Sequence, residues 1–114
     1  MELTGKCKEE FEEWFEPQPP EDADNWDKAL HGSEVDTFNT LPRAMKYGVY
    51  VDYGDSVGIK FWVAPFYNHD LGTMKEWAAY DKSGILGNTC NTRQEARTKA
   101  IEKLDETRNE QLNK

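Results

Sequence analysis

Tyr47-Gly48-Val49-Tyr50-Val51-Asp52-Tyr53-Gly54-Asp55-Ser56-Val57-Gly58-Ile59-Lys60-Phe61-Trp62-Val63-Ala64-Pro65 carries the most regular alternation in the chain. Val49, Val51 and Tyr53 alternate with Tyr50 and Asp52, the period-two pattern of a strand. Gly54-Asp55-Ser56 are turn residues. Val57, Ile59, Phe61 and Val63 then alternate with Gly58, Lys60, Trp62 and Ala64. Together these predict a β-hairpin, closed at Pro65 because proline donates nothing to a central ladder. Upstream, Leu41 to Gly48 reads as one or two helical turns, with Pro42 in the first turn and Gly48 at the exit. Downstream, residues 66–74 read as a loop containing Asn68, His69, Asp70 and Gly72. Lys75 to Tyr80 reads as a further strand, Asp81-Lys82-Ser83-Gly84 as a tight turn, and Ile85 to Cys90 as a short last strand or an irregular return.

Both ends read as helices. Leu3, Cys7, Phe11, Trp14 and Phe15 recur at three- and four-residue steps and so share one face. Thr4 is the expected N-cap. Glu9, Glu10, Glu12, Glu13 and Glu16 fill the other face, and Pro17 stops the helix. Acids near a helix C-terminus oppose its dipole, so packing of the aromatic face must compensate. Pro17-Gln18-Pro19-Pro20 is a stiff extended connector. Glu21 to Thr40 reads either as a short helix, from about Ala23 to Leu30, or as an acidic loop. In the helical reading Asp22 or Asp24 caps it, it closes near Gly32, and Trp26 and Leu30 share a face. At the other end Thr92-Arg93-Gln94-Glu95 is a capping box. Ala96, Ala100, Ile101 and Leu104 form a stripe that thins toward Lys114, where fraying is expected.

The order predicts a two-layer α+β fold: an N-terminal helix, an antiparallel sheet of three to four strands and a C-terminal helix, in αβββα-like order. It forms one domain over residues 1–114, with an acidic insert at about 17–40. The sheet face turned away from the helices would expose Tyr50, Asp52, Lys60, Trp62 and Tyr80, with segment 21–40 a candidate cover.

The chain has 114 residues, enough for one core. Its four Trp, five Tyr and five Phe supply much of it. No apolar run is long enough to span a membrane, and Met1 to Lys6 lacks the basic and apolar pattern of a signal peptide. A cytoplasmic setting is therefore expected, with Cys7 and Cys90 as reduced, buried thiols. Net charge is −8, unevenly placed: residues 1–40 hold 12 acids and 3 bases, net −9, whereas residues 41–114 hold 10 acids and 11 bases, net +1. The acidic third repels phosphate backbones and anionic membranes.

Cys7, His31, His69 and Cys90 do not fall at metal-ligand spacings. No nucleophile motif is present, and adjacent side chains such as His69 and Asp70 diverge, so no catalytic set assembles. Gly54, Gly58, Gly84 and Gly87 match no phosphate-binding loop. No cofactor is expected. What remains is binding. Glu9, Glu12, Glu13 and Glu16 form an acidic helix face that either is simply solvated, docks a basic partner, or imitates a nucleic-acid backbone. Tyr50, Asp52, Trp62 and Tyr80 form a second candidate surface. The helix–strands–helix order is also similar to double-stranded-RNA-binding domains. Arg93, Arg97, Lys99 and Lys103 on the last helix fit that comparison and the acidic first helix opposes it. Direct nucleic-acid binding by the last helix and the aromatic sheet face, and a small enzyme using loop 66–74, are the alternatives.

Three stretches together carry a resemblance: Leu3 to Trp14; Leu41-Pro42 through Tyr47 to Asp52, with Asp55 to Ile59; and Thr92 to Lys103. The chain resembles a group of small uncharacterised proteins encoded in phages and prophages of gut Bacteroidetes. Segment 16–40 lies outside the similar blocks. The resemblance implies a phage-accessory origin and a bacterial cytoplasm. The group has no assigned activity, so the resemblance gives no residue a role. The expectation is a non-catalytic accessory protein that binds a host or phage protein, with an acidic inhibitor of a nucleic-acid-handling protein as the sharper form.

Overall fold

The stretch that alternates most regularly is a helix. A computed structural model describes residues 2–68 and 73–114 of the chain. In it Arg43–Ser56 is continuous α-helix, starting after Pro42, so the predicted strand at Val49 to Tyr53 and the turn at Gly54 to Ser56 are both replaced. The reason lies in the tyrosines. Tyr47, Tyr50, Tyr53 and Gly54 recur at three- and four-residue steps, and that face packs: Tyr50, Tyr53 and Gly54 are buried. The helix ends in a Schellman motif. Gly58 takes φ 77°, and the N–H groups of Ile59 and Gly58 donate to the carbonyls of Gly54 (2.8 Å) and Asp55 (3.2 Å). Gly54 serves close approach rather than a turn, since a Cβ there would lie 2.7 Å from the Ile59 carbonyl oxygen.

The elements in order are α1 (Gly5–Phe15), α2 (Asn25–Leu30), α3 (Ser33–Asn39), α4 (Arg43–Ser56), β1 (Phe61–Asn68), β2 (Thr73–Asp81), β3 (Gly84–Ile85) and α5 (Arg93–Leu112). This is the expected α+β class, with N-terminal helices, a three-stranded antiparallel sheet in the order β1-β2-β3, and a C-terminal helix. Segment 21–40 contains two short helices rather than one. Trp26 and Leu30 face solvent, Trp26 being 72% exposed.

Strand β1 runs through Pro65 rather than stopping there. It is an edge strand, and Pro65 pairs in register with Trp77. The N–H and C=O of Trp77 are both bonded to Cys90 (2.8 and 2.7 Å), away from β1. Nothing in β2 therefore asks Pro65 for a donor, and its missing N–H faces the free edge. Leu86 donates to the Ala79 carbonyl, and an isolated bridge joins Trp77 to Cys90, so the stretch after the last turn is mostly the irregular return.

Helix α5 covers the inner sheet face. Side chains two apart on a strand share a face. Phe61, Val63 and Ala79 thus meet Ala100, Ile101 and Leu104 of α5 in the core, which also takes Leu3, Cys7, Phe11, Phe38, Tyr50 and Tyr53. The Thr92 hydroxyl caps α5, accepting from the Glu95 N–H at 3.1 Å. Thr4 stands at the N-cap of α1 but makes no side-chain cap bond there. Its hydroxyl donates instead to Asp105 of α5 at 2.7 Å, and Asn109 of α5 accepts from the Cys7 N–H at 2.8 Å. These cross-helix bonds explain why α5 stays helical to Leu112 although its apolar stripe ends at Leu104.

Candidate functional site

Of the eight residues singled out for binding, the structure sorts four into one groove, leaves two on the outer sheet face and removes two. Glu9, Glu12 and Glu13 of α1, with Glu16 at its C-cap, line a groove whose far wall includes Val35 and Asp36 of α3. Glu16 is already engaged there. Its carboxylate accepts from the N–H groups of Gly32 (2.9 Å) and Val35 (3.1 Å), which satisfies free donors in the first turn of α3. Partial desolvation opposes ionisation of this carboxyl, yet the Val35 and Gly32 N–H groups outweigh it and hold it below the ordinary range. Its role is to fasten α3 to α1, and Glu9, Glu12 and Glu13 remain as the outward acids.

Tyr50 and Asp52 do not belong to the sheet. Both lie on α4, Tyr50 buried against Phe11 (5.1 Å between centroids) and Phe38 (5.4 Å), Asp52 exposed; Lys60, also expected on the outer sheet face, lies before β1 instead. Trp62 and Tyr80 do share the outer sheet face. They are register partners on β1 and β2, and their rings stack at 5.8 Å with 11° between planes. Ile85 is the partner of Tyr80 on β3. One row across the sheet therefore reads Trp62, Tyr80, Ile85, with Trp62 48% and Ile85 44% exposed. The next row is Ala64 and Ala78, and beyond it Phe66 stands opposite Glu76. The face is an aromatic ridge beside an alanine trough.

Segment 21–40 does not cover this face. Its anchor is Phe38, which packs on Phe11 and Phe15, each at 5.2 Å between centroids. The cations of α5 are not beside it either. Arg93 lies over Trp77 at 4.2 Å and Arg97 over Tyr47 at 5.2 Å, and Trp77, opposite Pro65 and two residues from Ala79, belongs to the inner face. Lys99 is bonded to the Asn88 carbonyl, and Lys103 pairs with Glu106 at 3.8 Å. The cations and the exposed aromatics proposed for joint nucleic-acid binding thus lie in different layers.

Sequence reading placed Glu10 among the solvated acids. Instead it closes a polar network between three helices. Arg108 of α5 grips it with two bonds of 2.8 Å, and the Tyr53 hydroxyl of α4 donates to it at 2.7 Å. The Arg108 guanidinium holds the Glu10 carboxyl below its usual range. Burial pushes the neighbouring Cys7 thiol up to about 11, which keeps it protonated and unreactive. Both cysteines are free and buried. The spacing of Glu10 from Phe11 and Cys7 gave the only hint: it borders the apolar stripe rather than standing opposite it.

Loop residues His69, Asp70 and Gly72 lie outside the described residues. Among the described residues no three His, Cys, Asp or Glu side chains converge to hold a metal ion, and no helix is long and apolar enough to cross a membrane. Against known proteins the chain matches no family, no curated protein and no solved structure.

Proposed function

We propose that this is a non-catalytic accessory protein of phage or prophage origin that works by binding a host or phage protein through the outer face of its sheet. The observation that carries this reading is the Trp62–Tyr80–Ile85 row on the face away from α5, with exposed Trp62 and Ile85 flanking half-buried Tyr80. Folding gains little from leaving these large apolar groups in water, and contiguous patches of this kind serve as contact surfaces. Tryptophan and tyrosine are the residues that most often dominate binding energy. The acidic helices 1–40 add long-range attraction for a partner with a basic surface.

The test is capture from lysate of the native host, run side by side with wild type and Trp62→Glu. Support is a single protein retained stoichiometrically by wild type. The variant should bind it about thirtyfold more weakly, the equivalent of a ~2 kcal/mol hot spot. A triple Glu9→Lys, Glu12→Lys, Glu13→Lys variant, with Glu16 left in place to hold α3, should slow association and leave the salt-independent part of affinity intact. Retention of nuclease-sensitive nucleic acid would instead favour stacking of bases on Trp62 and Tyr80.

A further inference from the structure

A second opening sits at the other side of the sheet, between its inner face and the C-terminal half of α5. Its volume is about 210 Å³. Its floor is apolar: half-buried Ile59 and Leu86 lie over buried Phe61, Ala100 and Leu104. Ala100 leaves the space that a larger residue one turn before Leu104 would fill. Its rim is cationic. Lys60, Lys82 and Lys103 come from the loop before β1, the turn after β2 and α5, and the single acid among the lining residues is Asp81. One Asp81 carboxylate oxygen accepts from both the Ser83 N–H (2.8 Å) and the Ser83 hydroxyl (2.9 Å), and the carboxylate also feels the charges of Lys103 and Lys82, so one acid faces three lysines. Among the described residues Lys60 and Lys82 have no ion pair, and Lys103 has only the exposed 3.8 Å contact with Glu106.

Three features coincide here. The chain carries a net charge of −8, yet three lysines from separate segments line one opening. The walls beneath them are hydrocarbon. Polar donors at the mouth continue on α5 with Thr107 and Gln111. Gln111 gives its carbonyl oxygen to Arg108 at 2.8 Å, which turns its amide toward donation. An apolar cleft with a few convergent polar groups is the usual form of a small-molecule site, and a cationic rim selects an anion.

We infer that this cleft binds a small molecule with an apolar body and one anionic head group, the body seated on Ile59, Leu86 and Leu104 and the head held among Lys60, Lys82 and Lys103. The site is separate from the Trp62–Tyr80 face and does not depend on it.

The probe is octanoate, titrated into the full chain and followed by amide shifts in two-dimensional NMR, with octylammonium as the charge-reversed control. Octanoate should produce saturable shifts centred on Leu86, Leu104 and Thr107, and octylammonium none there. A Lys82→Glu/Lys103→Glu variant, its fold checked by thermal melting, should bind octanoate about tenfold more weakly and accept octylammonium instead. In wild type, raising salt from about 0.05 to 0.5 M should weaken octanoate binding severalfold. Equal binding of the two probes, indifference to lysine reversal and to salt, or no saturable shift at these residues would overturn the assignment.

Discussion

Two groups of aromatic rings in this chain have opposite fates. Around Phe11, the rings of Trp14, Phe15, Phe38, Tyr50 and Tyr53 all lie within 6.0 Å between centroids, and Phe11, Phe38, Tyr50 and Tyr53 are buried. Trp62 and Tyr80 stack on each other but otherwise look outward. The first group joins α1, α3 and α4, so its rings are the fold. The second contributes one cross-strand pair and leaves half of Trp62 in water. An aromatic residue is evidence for a core only when several elements converge on it. Where a single sheet face presents it, the same chemistry is available to a partner.

The contrast fixes an order of expected effects. Phe11→Ala should be the most damaging change, because it removes a buried ring with several aromatic neighbours. A loss of about 3–5 kcal/mol in denaturant unfolding is expected, and a loss below ~1 kcal/mol would mean that the inner group is not the core. Next come the bonds that tie α1 to α5. Arg108→Ala strips Glu10 of its two charged bonds and should cost about 1.5–3 kcal/mol. The pH dependence follows from the same pair. The folded Glu10 carboxyl lies below its unfolded value, so its contribution is present at neutral pH and is lost as pH falls through the folded value. Wild type should therefore exceed Glu10→Gln in stability at pH 7, and the gap should close below about pH 4. A constant gap down to acid pH would assign the effect to packing alone. Smallest is Trp62→Ala. It removes a cross-strand pair worth roughly 0.2–1 kcal/mol, and the melting curve should barely move.

Legibility in the sequence followed how local each signal was. The fold class, α1, α5 and its Thr92 cap were readable because periodic faces and capping residues are local. The hairpin at 49–64 was misread because Val49-Tyr50-Val51-Asp52-Tyr53 satisfies both periods: valines alternate, while Tyr47, Tyr50 and Tyr53 mark a helical stripe. Short apolar runs do not separate helix from strand by periodicity. Gly58 held the missing information, since glycine followed by Ile59 is the sequence form of a Schellman stop. Trp62 and Tyr80 were placed correctly on the outer face because alternation within β1 and β2 survives the shift of the hairpin. Tyr50 and Asp52 were lost from that face along with the mistaken strand. Glu16 and Glu10 were unreadable for a different reason: their partners, Val35 and Gly32 on one side and Arg108 on the other, are set by tertiary packing.

The separation of a folding core from a spare aromatic face is tested most directly by one comparison: partner capture by wild type and by Trp62→Glu at matched stability. The account predicts that the variant melts within a few degrees of wild type and loses the retained protein. A variant that melts normally and still retains the same protein at the same level would contradict it.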